Sequence, residues 1–171
     1  MAAVEGRIGG GKYTNAGAPV AGTDEIQTLT IDATGGTFKL SFEGFTTAAI
    51  SWSATNSTLI ANIDAALELL PSIGTGNITT AVATMTAGVG TATLTFVASL
   101  GKKAISTVIA VANNSLTGTA TLSVAETTPG VDATVRGAGV GALLIDSTNA
   151  KLYINTGTAL APTWTVVGTQ S

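Results

Sequence analysis

The chain has 171 residues, enough for one domain or one domain with a small appendage, and it is 45% hydrophobic but only 10% charged, so much of its surface must consist of small and hydroxyl-bearing residues. A net charge of -3 with seven basic residues provides no cluster of positive charge, so neither nucleic acid nor an anionic membrane is expected as a partner. The sequence contains no cysteine and no histidine, which excludes disulfides, histidine-based triads and most zinc sites, and we therefore expect no enzyme activity, cofactor or metal.

Residues 1–25 are rich in glycine and follow neither a strand pattern nor a helix pattern, which predicts an extended Gly-rich arm. Residues 6–12 match most of the phosphate-binding pattern G-x-x-x-x-G-K, but Tyr13 stands where Ser or Thr would hold magnesium. No strand precedes this pattern and no helix follows it, so an arm is favoured over a nucleotide site. The segment also lacks the order of charges typical of a signal peptide, and we expect the protein to be made in the cytoplasm.

Residues 26–128 predict a mainly β domain, an antiparallel β-sandwich with one helix. The runs "IQTLTID" and "FKLSFE" alternate apolar and polar residues, and the "ATGG" between them predicts a hairpin. The run "NSTLIANIDAALELL" predicts a helix over about residues 57–70, capped by Asn56 or Ser57 and ended by Pro71. Four further strands are expected at "NITTAVATM", "TATLTFVA", "AISTVIAVA" and "TATLSVAE", and this number of short strands favours two packed layers.

Residues 129–141 contain Pro, Gly and small residues and predict a linker. Residues 142–171 predict a small C-terminal β unit, a hairpin or three strands formed by "ALLID", "KLYIN" and "TWTVV". Three such strands bury too little to be stable alone, so their apolar face must rest on the preceding domain, on a second copy of the chain or on another partner. Four side chains are expected to share that face: Leu152, Ile154, Trp164 and Val166.

Acidic residues lie close together in two places. Asp24, Glu25 and Asp32 could form a calcium or acid–base site, and Asp64 lies four residues from Glu68 on one helix face. Neither group has the ligand density that calcium or two-carboxylate chemistry requires, so an ordinary solvated surface is favoured.

Tyr153 and Trp164 place aromatic surface near the C-terminus of a chain that is only 5% aromatic. Exposed aromatic rings can stack on sugars, so a glycan-binding platform is one interpretation. Their positions on apolar strands favour the other interpretation, in which both rings pack inside the unit or against a neighbour.

Two parts of the chain resemble structural proteins of tailed bacteriophages that infect actinobacteria. The stretch "IQTLTIDATGGTFKLSFEGFTTAAISWSAT", continued by "LIANIDAALELLPSIGTGNITT", is similar in its order of strands, helix and glycine turn to a module of such virion proteins. Residues 137–169 contain D-x-x-N-x-x-L-Y-x-N-x-G followed by P-x-W-x-x-V-G, and resemble a motif found at the ends of head-decoration and fibre-like proteins. The fixed positions of this motif include Asn149, Tyr153, Gly157, Pro162 and Trp164.

The resemblance implies a structural virion protein, and within that class a capsid decoration protein on the outer surface of the head. Its expected partners are the major capsid protein and other copies of itself, as a homotrimer. A minor tail or fibre protein that contacts the host, with possible glycan binding, is the alternative, and a carboxylate-dependent glycosidase is less favoured because no acidic pair is evident. The residues expected at capsid or subunit interfaces are Ile8, Tyr13, Leu152, Tyr153, Ile154, Trp164 and Val166.

Overall fold

The structure is a computed structural model that describes residues 17–135 and 137–169, together with the backbone of residues 12–15. Within these residues it confirms the prediction of a mainly β fold with a single helix. In chain order the elements are β1 (Lys12–Asn15), β2 (Ile26–Asp32), β3 (Gly35–Phe42), β4 (Phe45–Thr46), β5 (Ile50–Ser51), α1 (Asn56–Glu68), β6 (Ile78–Thr86), β7 (Val89–Phe96), β8 (Ala110–Thr117), β9 (Thr121–Thr128), β10 (Leu143–Asp146), β11 (Lys151–Asn155) and β12 (Trp164–Val166).

The chain divides into two compact units. The larger unit is Asp24–Gly130, and the smaller unit joins the residues before Asp24 with those after Gly130. The larger unit contains two antiparallel sheets. One has the strand order β6-β7-β2-β9, and in the other β3 pairs with β8 along one edge and with β4 and β5 along the opposite edge.

The two sheets of the larger unit enclose one apolar core. Alternation along β2 and β3 directs Leu29 and Phe38, among others, into this core, where both are fully buried. The rings of Phe42 on β3 and Phe96 on β7 lie 5.3 Å apart between centroids, so side chains from the two sheets meet directly. The helix completes the core with three buried side chains, Leu59, Ile63 and Leu67.

The predicted hairpin of β2 with β3 is wrong, because the two strands belong to different sheets. Both strands have an apolar face, and crossing from one layer to the other buries both faces in the same core. Just after the crossing, Gly36 in β3 allows β8 to approach closely: its φ is +93°, and a Cβ at that position would lie 2.3 Å from the carbonyl oxygen of Ser115.

The predicted strand "AISTVIAVA" is also wrong over most of its length. Only residues 110–112 belong to β8, which continues through residues that the sequence assigned to a turn. The side chain of Gln27 explains the difference, because it binds the backbone of the preceding loop. Its amide donates to the Thr107 carbonyl at 3.0 Å, and its carbonyl accepts from the Ile109 N–H at 2.8 Å.

The helix begins at Asn56 with Thr55 as its N-cap residue, and no side-chain cap bond is made there. The predicted capping role of Asn56 is therefore wrong. Its side chain instead donates to the Met85 carbonyl at 2.7 Å and accepts from the Gly88 N–H at 2.8 Å, which fastens the helix to the turn between β6 and β7. None of the helical structure in the described residues is long and apolar enough to cross a membrane.

The smaller unit contains one sheet of order β1-β10-β11-β12. The three C-terminal strands occur at the positions that the sequence predicts. The first strand, β1, lies inside the segment predicted as an arm and pairs in parallel with β10. A further bridge joins Thr23 to Val131, so residues on both sides of the larger unit meet within the smaller one.

We predict that a fragment of residues 24–130 folds alone, because all the buried residues of the apolar core lie between Leu29 and Leu116. We expect the 24–130 fragment to unfold cooperatively on heating when the transition is monitored by circular dichroism. A fragment of residues 131–171 serves as the comparison and should be unfolded, because it lacks β1 and Thr23. A non-cooperative transition in the 24–130 fragment would contradict the division into two units.

Candidate functional site

Asn155, the second asparagine of the C-terminal motif, is 1% exposed and binds backbone groups from three places in the chain. Its amide donates to the Ala138 carbonyl at 2.6 Å, and its carbonyl accepts from the N–H groups of Gly157 at 2.9 Å and Thr163 at 2.8 Å. At Gly157 a Cβ would lie 2.5 Å from the carbonyl oxygen of Ala161, so the motif requires glycine there. These two motif positions therefore shape the loop between β11 and β12.

Asp146 and Asn149, the first two positions of the motif, form the turn between β10 and β11. The Asp146 carboxylate has no exposed surface and accepts the Asn149 side-chain amide at 2.7 Å. It also accepts the N–H groups of Thr148 at 2.9 Å and Asn149 at 3.1 Å. The side-chain hydrogen bond from Asn149 is the main cause that lowers the pKa of Asp146, while burial of the carboxylate opposes it.

The predicted shared face of Leu152, Ile154, Trp164 and Val166 is wrong. In the register of β11 with β12, Tyr153 lies opposite Val166, and Ile154 lies opposite Thr165. Directly opposed residues point to the same face of a sheet, so Trp164 and Val166 share the face of Tyr153, while Leu152 and Ile154 lie on the other face. The alternation within each strand is as expected, but the register between the strands differs by one residue, which reverses the faces.

Tyr153 and Trp164 are engaged within the smaller unit. Tyr153 is only 8% exposed. Trp164 is half-buried, and its indole N–H donates to the Thr134 carbonyl at 3.1 Å. A sugar-stacking platform needs an open ring face, which the buried Tyr153 does not offer. Val166 is 40% exposed, and Leu152 and Ile154 are half-buried.

The two remaining residues predicted at interfaces belong to the N-terminal segment. Ile8 lies outside the described residues, as do residues 6–11 of the phosphate-loop pattern. Tyr13 is described by its backbone alone, as part of β1. Contacts of these two side chains remain a prediction from the sequence.

The acidic residues bind backbone amides instead of converging on one point. Asp24 accepts the Lys102 N–H at 2.7 Å. On the helix, Asp64 accepts the Thr80 N–H at 2.8 Å, and Glu68 accepts the Gly76 N–H at 2.6 Å. Among the described residues no three acidic side chains form a group that could hold a metal ion.

The side chain of Glu25 is buried, with 1% of its surface exposed. From the sequence it is grouped with Asp24 and Asp32, and its burial is not predicted. One oxygen accepts the Gln27 side-chain amide at 2.7 Å, and the other lies 3.4 Å from the Gly130 nitrogen, which donates to it. The strict alternation of β2 could have indicated this position, because Glu25 and Gln27 lie in phase with the core residue Leu29. Both side chains support backbone where regular strand pairing ends.

The outer face of the β6-β7-β2-β9 sheet is rich in threonine. Thr28 on β2 lies directly opposite Thr93 on β7, and Thr30 lies opposite Thr91. Asp32 is the charged residue among the paired positions of this face. The alternation along each strand is evident in the sequence, but the alignment of four strands that brings their threonines to one surface is not. We call this surface the threonine face; its hydroxyl residues are Thr28, Thr30, Thr79, Thr84, Thr86, Thr91, Thr93, Thr95, Thr121, Ser123, Thr127 and Thr128.

No protein-family model matches the chain, and no curated protein matches it either. Among solved structures, the chain is similar to a protein chain from Mycobacterium phage Patience, with 16% sequence identity and a TM-score of 0.44. The similarity covers 86% of this chain and 56% of the phage chain, so this chain spans little more than half the length of that one. At this level of similarity, function must be argued from the residues of the chain itself.

We predict that Asn155→Ala destabilises the smaller unit by at least about 2 kcal/mol, because it leaves buried donors and an acceptor without partners. Hydrogen exchange should become faster at the amides of Gly157 and Thr163. The control is Thr169→Ala, which removes an exposed hydroxyl in the same unit and should change stability by less than about 0.5 kcal/mol. Equal protection in the wild type and in Asn155→Ala would contradict the role assigned to Asn155.

We predict that Asp146 contributes stability that is lost in acid. Its folded-state pKa is lowered, so the contribution is complete above the unfolded value of about 3.9 and disappears as the pH falls through the lower folded value. The difference in Tm between the wild type and Asp146→Asn should therefore be largest near neutral pH and shrink below about pH 4. The other carboxylates are the same in both proteins. A difference in Tm that does not change with pH would therefore exclude a stabilising role of the ionised Asp146 carboxylate.

Proposed function

We propose that the protein is a structural component of a bacteriophage virion, a capsid decoration protein that binds the outer surface of the head lattice and stabilises it. In this proposal it acts as a homotrimer at threefold or quasi-threefold positions, and its partners are the major capsid protein and its own copies. The observation that carries the proposal is the threonine face, a surface four strands wide on which the paired positions include one charge.

The chemistry of the threonine face suits contact with another protein. Threonine is β-branched and has few rotamers, so ordering it at an interface costs little entropy. Each side chain offers a methyl group for packing and a hydroxyl for hydrogen bonding. Neighbouring strands already orient some of these hydroxyls, since the Oγ1 atoms of Thr84 and Thr91 lie 2.6 Å apart. A modest contact of this kind becomes secure when several linked copies bind at once.

The acidic residues support a structural role over catalysis. Asp24, Asp64 and Glu68 each hold a backbone N–H, so their carboxylates stabilise loops and strand edges. A glycosidase would need two carboxylates directed at one bond. The motif positions Asp146 and Asn155 are likewise used to build turns.

The proposal predicts about one copy of the chain per capsid subunit in purified phage particles, measured by quantitative mass spectrometry. A few copies per particle would move the protein to the tail or to a fibre, the alternative location. Its absence from particles would overturn a virion role.

The threonine face is tested with the same particles. The double variant Thr28→Lys with Thr93→Lys places two charges at its centre and should abolish binding to heads that lack the protein. The matched control, Thr58→Lys with Ala61→Lys, adds the same charge at exposed positions of α1 and should bind like the wild type. Equal binding by both variants would exclude this face as the capsid contact.

A further inference from the structure

On one side of the larger unit, side chains of the helix bind backbone groups of the edge strands, so these groups are not available to pair with another strand. Asp64 accepts the N–H of Thr80 on the edge strand β6, and Asn56 donates to the Met85 carbonyl of the same strand. Asn62 donates to the Ser51 carbonyl of β5 at 3.0 Å, so the helix also holds the edge of the second sheet. Polar side chains of the helix thus occupy backbone groups that another strand could otherwise bind.

Within the described residues, the polar side chains of α1 that hold β5 and β6 do not reach the edges formed by β8 and β9; one outward N–H there, that of Leu116, is accepted by Asn114 of the same strand. The strand β8 pairs with β3 and β9 pairs with β2, and no described strand lies on the outer edge of either. Seven of the eight residues of β8 are exposed. The two strands share a turn and then enter different sheets, so both open edges border the same side of the unit.

The composition of these strands offers little protection against pairing. The strand β8 has no charged residue and no proline, and β9 has one charged residue, Glu126. Natural edge strands are commonly protected by charges, proline or bulges. Each strand here contains one register shift, which leaves regular segments at residues 113–117 and 121–126.

We propose that a second copy of this chain binds here, with β8 of one copy pairing with β9 of the next. Because β8 is uncharged and β9 has one charged residue, these two edges can meet without charge repulsion, whereas a charged partner strand would find no counter-charge on β8. The exposed side chain of Val111 adds apolar contact at the same edge, with 36% of its surface exposed. Pairing of β8 with β9 uses both edges of every copy, whereas pairing of β8 with β8 would leave β9 open. In the trimer proposed above, three such contacts would close a ring.

One backbone group on this edge can be removed selectively. The Leu116 N–H is accepted by the Asn114 side chain of the same strand at 3.1 Å, which directs this N–H away from β3. Alternation along the strand places the Asn114 N–H on the same outer edge. Proline at position 114 therefore removes a donor for a neighbouring copy while sparing the pairing with β3.

The test measures the mass of the full chain in solution by light scattering, against a single-chain mass of 16.8 kDa. We expect the wild type and Asn114→Ala to be oligomers, and Asn114→Pro to be a folded monomer by circular dichroism. The alanine variant controls for loss of the side chain. A monomeric wild type, or a folded Asn114→Pro with the wild-type mass, overturns the proposal.

If Asn114→Pro is unfolded, a second pair of variants tests whether β8 pairs with β9 of another copy. Val111→Lys should dissociate the oligomer by placing charge at the paired edge, and Val111→Thr, which keeps the size and branching, should not. An oligomeric Val111→Lys overturns the proposal in that case. If these variants dissociate an oligomer that does not contain three copies, the trimer is contradicted but the edge pairing is supported. These measurements of mass do not depend on binding to the capsid.

Discussion

The larger unit depends on two neighbouring crossings of the chain between its sheets. The turn from β2 to β3 and the turn from β8 to β9 lie side by side, and the Thr34 N–H donates to the Thr117 carbonyl at 2.9 Å between them. Each crossing sends consecutive strands into opposite layers, so apolar faces adjacent in sequence meet across the core. Because of the crossing between β2 and β3, β3 is the central strand of the second layer, where it pairs with β8, β4 and β5.

A few polar side chains replace strand pairing where it ends. Gln27 holds the loop before β8, Asp64 holds the edge of β6, and Asn155 holds the loop between β11 and β12. Buried backbone groups need partners, and irregular segments can obtain them only from side chains or solvent. In a chain that is 10% charged, these polar side chains stabilise loops and strand edges. The threonine face and the β8 and β9 edges are the surfaces that we propose as contacts with partners.

The C-terminal motif combines a spacing that resembles phage virion proteins with side chains that hold the backbone of turns. The sequence identified Asp146, Asn149, Asn155 and Gly157 by their spacing, and the structure assigns each of them to a turn or loop. The hydrogen bonds of these side chains build the turns and loops of the smaller unit.

The sequence by itself determined the β-rich class, the single helix and the strands with strict alternation, because these depend on local periodicity. It also indicated the three C-terminal strands. Only the tertiary structure decided that β2 and β3 lie in different sheets, that β8 runs through "NNSLT", and that Trp164 shares a face with Tyr153. Layer assignment and register depend on pairing between residues far apart in the chain, and a shift of one residue reverses every face. The threonine face arises for the same reason, since four strands separated in sequence must align before their hydroxyls form one surface.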